Sequence, residues 1–280
     1  MRSEWRSERR RRPGHGIRLS TLERGDGPPC VLLHGITANA RVWDPIALRL
    51  GERYHVVAVD QRGHGQSDKP EAGYAAADFV ADVRALVEEI GTEPAVVIGH
   101  SLGARNALAM AARHPDLVAA CVAIDFAPSI EPAIFDALDT RIAASPDALA
   151  DEEEVRRYLT ARYPTTPPEA IARRIAGGYR RRPDGRLAPW ADRAAMAQAS
   201  TVLREPLEAD VLAIRAPTLV LRGGQSWIVS EATFASFQAL RPDFTFATLA
   251  GVSHYVHEEA HEWTVAQWEA FDAARMGARV

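Results

Sequence analysis

This 280-residue chain has few cysteines, few aromatics and no long apolar runs. Its two cysteines, Cys30 and Cys121, both sit in apolar stretches. They read as small buried hydrophobes in a reducing compartment rather than as a disulfide. No apolar run reaches the roughly 20 residues of a membrane span. The first residues lack the apolar core of a signal peptide, so the expected location is cytoplasmic. The histidines and cysteines form no ligand cluster, and neither a metal nor an organic cofactor is expected. The formal net charge of −4 argues against nucleic acid as a partner, and no membrane partner is expected. What the chain does have is apolar content, 47% in all, enough for one large core with an insertion.

Charge is unevenly spread. Residues 1–12 hold six arginines and two glutamates, making this segment +4 and the rest −8. A run of this kind reads as a solvated tail, and residues 1–16 are expected to be a disordered Arg-rich arm. Beyond it, short apolar runs alternate with helical patterns. An edge strand is expected over 17–24, and buried strands over 30–33, 55–59, 95–98, 117–124, 217–223 and 244–249. Helical spacing of Phe79, Val83, Leu86 and Ile90 marks a helix that Gly91 ends. Strands alternating with helices imply a doubly wound, mostly parallel sheet. From 129 to 207 the character changes to arginine, alanine and proline with short helical pieces. This stretch reads as a helical cap between core segments 17–128 and 208–280. Its Tyr158, Tyr163, Tyr179 and Trp190 are candidates to line a substrate cavity.

The sharpest local signal is Gly99-His100-Ser101-Leu102-Gly103, between an apolar strand and an alanine-rich helix. A serine at such a turn is held in strained geometry with its hydroxyl above the sheet. Side chains at 99 and 103 would collide with the neighbouring strand and helix. The helix start adds free N–H groups and a partial positive charge. The turn His34-Gly35-Ile36 follows another buried strand. It can aim the Ile36 N–H, together with that of Leu102, at a developing oxyanion. His34 itself reads as a structural histidine orienting the loop. Residues 60–68 lack the lysine and spacing of a phosphate cradle. Asp60, Arg62 and Ser67 read instead as a hydrogen-bonded structural loop.

In chain order, His34-Gly35, Asp60-x-Arg62-Gly63-x-Gly65-x-Ser67, Gly99-x-Ser101-x-Gly103 and Gly251-x-x-His254 closely resemble the α/β-hydrolase superfamily. The likeness is to its capped serine-nucleophile branch of esterases, lactonases and C–C hydrolases. It spans roughly residues 17–275 and weakens in the cap. It implies an eight-stranded sheet, Ser101 as nucleophile, His254 as base, and the N–H groups of Ile36 and Leu102 as oxyanion hole. Serine at the elbow, where epoxide hydrolases and haloalkane dehalogenases carry aspartate, argues against those branches. His257 and His261 lie further along and read as surface.

The acid departs from the pattern. Relatives with a similar loop after the strand ending at Gly223 carry aspartate where this chain has Trp227. Tryptophan donates one hydrogen bond and accepts none. Three readings stay open. Asp125, ending the strand beside the serine strand, is the acid; or the site lacks an acid, with Trp227 filling part of the substrate pocket; or Glu231 or Glu258 reaches in. The resulting expectation is a serine hydrolase that cleaves a hydrophobic small-molecule ester, lactone or activated C–C bond through an acyl-enzyme. The alternative is a non-hydrolytic catalyst or small-ligand binder on the same fold.

Overall fold

The valine- and leucine-rich runs pair into one eight-stranded sheet in the computed structural model, which describes residues 8–277. In chain order the elements begin β1 (Glu8–Pro13), β2 (Arg18–Arg24), β3 (Pro29–Leu33), α1 (Asp44–Leu50), β4 (His55–Asp60) and α2 (Ala76–Ile90). They continue β5 (Ala95–His100), α3 (Leu102–Arg113), β6 (Val118–Ile124), α4 (Pro132–Ala143), α5 (Glu152–Arg162) and α6 (Pro168–Gly178). A short hairpin follows, β7 (Tyr179–Arg181) and β8 (Leu187–Pro189), then α7 (Arg193–Thr201) and α8 (Glu208–Ala213). The chain closes with β9 (Thr218–Gly223), α9 (Glu231–Leu240), β10 (Thr245–Leu249), α10 (Val256–Glu259) and α11 (His261–Gly277).

The sheet order is β1-β2-β4-β3-β5-β6-β9-β10, antiparallel at β1 and β2 and parallel from β4 onward. β3, β5 and β9 are buried along their whole length, as a sheet covered on both faces requires. Alternation sorts their side chains to two layers. Val31, Leu33 and Val97 face α2 and α3, whereas Cys30, Leu32 and Ile98 face α1 and α11 with Trp43 and Trp268. Both cysteines are free and fully buried, and burial pushes the Cys121 thiol up to about 12. Register aligns the strand ends: Leu33 is opposite Gly99, Gly99 opposite Ala123, and Ala123 opposite Val220. The loops carrying His34, Ser101 and Asp125 therefore leave one edge of the sheet side by side, where open α/β sheets place their sites.

The Arg-rich arm is corrected. Glu8–Pro13 is not a disordered tail but strand β1, covering the edge of β2. Its arginines alternate onto carboxylates already fixed in the fold. Arg12 makes two bonds to Glu23 at 2.8 and 2.7 Å, Arg9 reaches Asp60 at 2.9 Å, and Arg11 meets Asp68 at 2.5 Å. Burial acts to raise the Glu23 pKa, but the bonds from Arg12, His55 and Thr21 outweigh it and hold the carboxyl well below the usual range. Composition hides this, because a charge run looks solvated until its partners are known. The part of the expected tail over residues 1–7 lies outside the described residues.

Between β6 and β9 the chain leaves the sheet to form α4 to α8 and the β7–β8 hairpin, an element absent from the sequence expectation. Leu149, Val155, Leu159, Tyr163, Ile171, Ile175 and Leu187 make a small separate core. Phe135, Ile142, Met196 and Ala199 of α4 and α7 join the main core instead. The cap is thus pinned at α4 and α7 and self-packed between them. Among the described residues no helix is long and apolar enough to cross a membrane.

Candidate active site

Ser101 sits between β5 and α3 with φ +53°, and its backbone N–H donates to Ile124 O at 2.9 Å. A non-glycine residue there is strained. A Cβ at Gly103 would stand 2.0 Å from Leu33 O, so only glycine lets the helix start so close to β3. Two other non-glycine residues have positive φ among those described, Thr37 at +63° and Asp125 at +51°. All three belong to loops at the same sheet edge. Strain collected in one place is the usual mark of a functional site.

The Ile36 loop approaches Ser101 closely. A Cβ at Gly35 would lie 2.8 Å from His100 Nδ1 and 3.2 Å from Ser101 Cβ. Neither the Ile36 N–H nor the Leu102 N–H donates to an acceptor among the described residues. The loop is held from below by two histidines. His34 Nδ1–H donates to Gly35 O at 2.7 Å while its Nε2 accepts from Gln61 N at 3.1 Å. His64 Nδ1–H donates to Arg62 O at 2.9 Å while its Nε2 accepts from Thr37 N at 3.2 Å. Each ring is thereby a fixed neutral tautomer. Burial lowers His34 to about 4 and His64, beside His34, to about 3. Asp60 accepts from Ala40 N and Gln66 N, Arg62 pairs with buried Asp82 at 2.7 Å, and Ser67 accepts from Ser20 N. These three are tied into the structural loop expected from the sequence.

Asp125 is fully buried and touches His254. Its Oδ1 lies 3.0 Å from His254 Nδ1 and accepts from Ser226 Oγ at 2.5 Å, and its Oδ2 accepts from Gly223 N at 2.9 Å. Ser226 is held in turn by the N–H groups of Ile228 and Val229 at 3.2 and 3.0 Å. The loop after β9 thus supplies donors to the carboxylate that follows β6. Ser226 was not singled out in the sequence. Its only signal is its place in that loop.

His254 follows β10 and is 4% exposed. Its carbonyl accepts from His100 Nε2–H at 2.9 Å, and the two rings are 4.5 Å apart. Among the described residues Ser101 Oγ makes no hydrogen bond. Nucleophile–base bonds are often long before substrate arrives. Trp227 is half-buried beside the site, its ring edge-on to His254 at 6.0 Å. Neither glutamate reaches His254. Glu231 is exposed at the start of α9, and Glu258 is buried against Arg174 of α6, with one bond at 2.9 Å. His257 is corrected from surface to core. It is fully buried between His100 at 4.2 Å and Trp43 at 4.5 Å, because the one-turn α10 directs it inward. Burial lowers its pKa well below the ordinary value.

A cavity of about 810 Å³ opens between cap and core. Tyr158, Tyr163, Tyr179 and Trp190 all line it. Ser101, His254 and Trp227 are not in its wall. It meets the site through Thr37, next to Ile36, and Tyr163, whose ring stands 5.0 Å from Tyr255. Two cap arginines flank this junction. Arg141 donates to Arg162 O and Arg162 to Arg141 O, both at 3.0 Å, which brings the two guanidinium groups together at the ends of α4 and α5. Arg141 lies 5.3 Å over the Trp227 ring. Among the described residues neither has a carboxylate within ion-pair distance.

Residues 28–261 match the model of the α/β hydrolase fold family. The chain belongs to that family, and it is a hydrolase. A relative from Mesorhizobium japonicum, 2-(acetamidomethylene)succinate hydrolase, is 44% identical over 249 residues, 89% of each chain. The crystal structure of E-2-(acetamidomethylene)succinate hydrolase matches with a TM-score of 0.93 at 42% identity, covering 95% of this chain and 99% of that one. An α/β hydrolase from Novosphingobium aromaticivorans matches with a TM-score of 0.78 at 26% identity, over 95% of this chain and 98% of its own.

Proposed function

We propose that this protein hydrolyses a small carboxylate-bearing acyl compound through an acyl-enzyme on Ser101. The observation that carries the reading is Asp125 Oδ1 at 3.0 Å from His254 Nδ1, beneath a serine with left-handed backbone. Asp125 holds the imidazole with Nδ1 protonated, so that Nε2 is free to take the Ser101 proton. Ser101 Oγ attacks the acyl carbonyl, and the oxygen that gains charge meets the N–H groups of Ile36 and Leu102. His254 then gives its proton to the leaving group. Water, deprotonated by the same ring, releases the acid. Esters, lactones and activated C–C bonds, the classes open from the sequence, all pass through this attack.

Two features narrow the substrate. Arg141 and Arg162 are guanidinium groups without carboxylate partners beside the site, and such groups bind carboxylates well. This moves the expected substrate from a neutral hydrophobic molecule to an anionic one. The 44% identical relative is named for a dicarboxylate bearing an acetamido group. The binder reading rested on Trp227 in the acid's place. Asp125 at 3.0 Å from His254 Nδ1 supports the hydrolase reading over it.

The test is acetate release from 2-(acetamidomethylene)succinate and from its dimethyl ester, with a fluorophosphonate probe of Ser101. We expect turnover of the diacid, at least tenfold less of the diester, and probe labelling that disappears in Ser101→Ala. Absence of labelling in the wild-type protein overturns the acyl-enzyme. Equal turnover of both compounds overturns the anionic substrate.

A further inference from the structure

The cavity is larger than a small dicarboxylate needs, and its outer part carries charge that the reaction does not use. Lys69, on the core loop after β4, places Nζ 5.8 Å from the Trp190 ring centroid. Arg180, on the cap strand β7, places its guanidinium carbon 5.2 Å from the same ring. Lys69 Nζ donates to Gly65 O and Ser67 O, both at 2.8 Å, which fixes the ammonium and leaves one of its three donors unspent. The Arg180 guanidinium makes no hydrogen bond or ion pair among the described residues. Asp60, Asp192 and Asp68 are near enough to act on the Lys69 charge, but none bonds Lys69 or Arg180: Asp60 accepts from Ala40 N and Gln66 N, and Asp68 from Arg18 N. Asp192 caps α7 through Ala195 N at 2.9 Å, and Asp147 pairs with Arg193. The Asp192 N–H also bonds Gly63 O at 3.4 Å, so the cap hairpin is seated on the core here.

We propose that Lys69 and Arg180, gathered around Trp190 in the cavity wall, form a second anion site, distinct from Arg141 and Arg162, which takes a carboxylate group. Neither cation has a carboxylate within ion-pair distance among the described residues, and an anion held by both uses their free donors. The indole keeps both cations in place by cation–π attraction. Because Lys69 belongs to the core and Arg180 to the cap, a bridging carboxylate also ties the hairpin down over the cavity. The purpose of the site, capture of an anionic substrate on its way to Ser101, rests on the proposed function. The existence of the site does not.

The experiment is a succinate titration followed by tryptophan fluorescence, in wild type, Trp190→Phe, Arg141→Met and the double variant Lys69→Met/Arg180→Met. Succinate is expected to change the wild-type signal through both Trp190 and Trp227, Trp190→Phe to leave only the part that Arg141→Met removes, and Arg141→Met to retain the Trp190 part. The double variant should need at least tenfold more succinate. In turnover it should lose about tenfold in kcat/KM on an anionic substrate with kcat unchanged, and nothing on p-nitrophenyl acetate. An unaltered titration in the double variant, or a full signal in Trp190→Phe, overturns the site. If wild type turns over no substrate, the hydrolase proposal fails while the titration still decides this one.

Discussion

The sheet edge and the cap wall handle polar groups in opposite ways. At the edge, Asp125, His34, His64 and His100 are buried and held by hydrogen bonds. Asp125 meets three donors, His34 and His64 each bridge two loop groups, and His100 holds the carbonyl of His254. In the cap wall the polar groups are long arginines whose donors are partly spent or free, around a roomy cavity. The first arrangement preorganises charge for one transition state. The second can receive ligands of different shape by moving side chains. On the proposed function, chemistry is set by the core and selection by the cap.

The largest break in that contrast is at Asp125. Asp125→Asn should lower kcat by about 10⁴, because the amide leaves the imidazole in the wrong tautomer. Trp227→Asp should not restore it. The Trp227 ring is edge-on to His254 at 6.0 Å, while Gly223 N and Ser226 Oγ are already committed to the β6 position. Initial rates of the three proteins on p-nitrophenyl acetate check this. Recovery in the combined variant would show that the loop after β9 still holds a working acid place.

A smaller effect sharpens the contrast from the cap side. Arg162→Met should raise KM for an anionic substrate by on the order of 10- to 100-fold, the worth of one charged hydrogen bond. On p-nitrophenyl acetate the variant should match wild type, since no step of the chemistry touches Arg162. Steady-state kinetics on both compounds separate the outcomes. Loss on the neutral ester would mean that Arg162 supports the core and does not select substrate.

The same contrast governs what the sequence makes legible. The elbow around Ser101 and the turns at His34 and His254 are short contiguous motifs tied to strand ends, so the site's centre can be read directly. Asp125 sits at the right strand end but could not be told from a structural aspartate. Its bonding partners Ser226 and His254 are about a hundred or more residues away, and spatial pairing leaves no local pattern. Arginines 141 and 162 were invisible for the same reason, since nothing in the sequence marks which of many cap arginines lack a carboxylate. β1 failed in the opposite sense. Its charges looked solvent-bound because Glu23, Asp60 and Asp68 become partners only once β2 and the loop after β4 are in place. His257 looked polar and exposed, and one turn of α10 buries it.

Acid should separate the two regions. His34 and His64 are held neutral, with pKa values lowered by burial to about 4 and about 3 against an ordinary 6.5. The folded chain then binds fewer protons than the unfolded chain below pH 6.5. Their contribution to stability is complete above that value and is lost as pH falls toward 4 and 3, with a slope of about 1.4 kcal/mol per pH unit for each ring. Arg141, Arg162 and Arg180 keep their charge throughout. Urea unfolding at pH 7, 6 and 5 should show a falling midpoint in wild type and a shallower fall in His64→Gln, which starts lower because the Thr37 and Arg62 bonds are weakened. Parallel slopes would mean that His64 accepts a proton in the folded state. That would contradict the neutral bridge between Thr37 and Arg62 that holds the Ile36 loop.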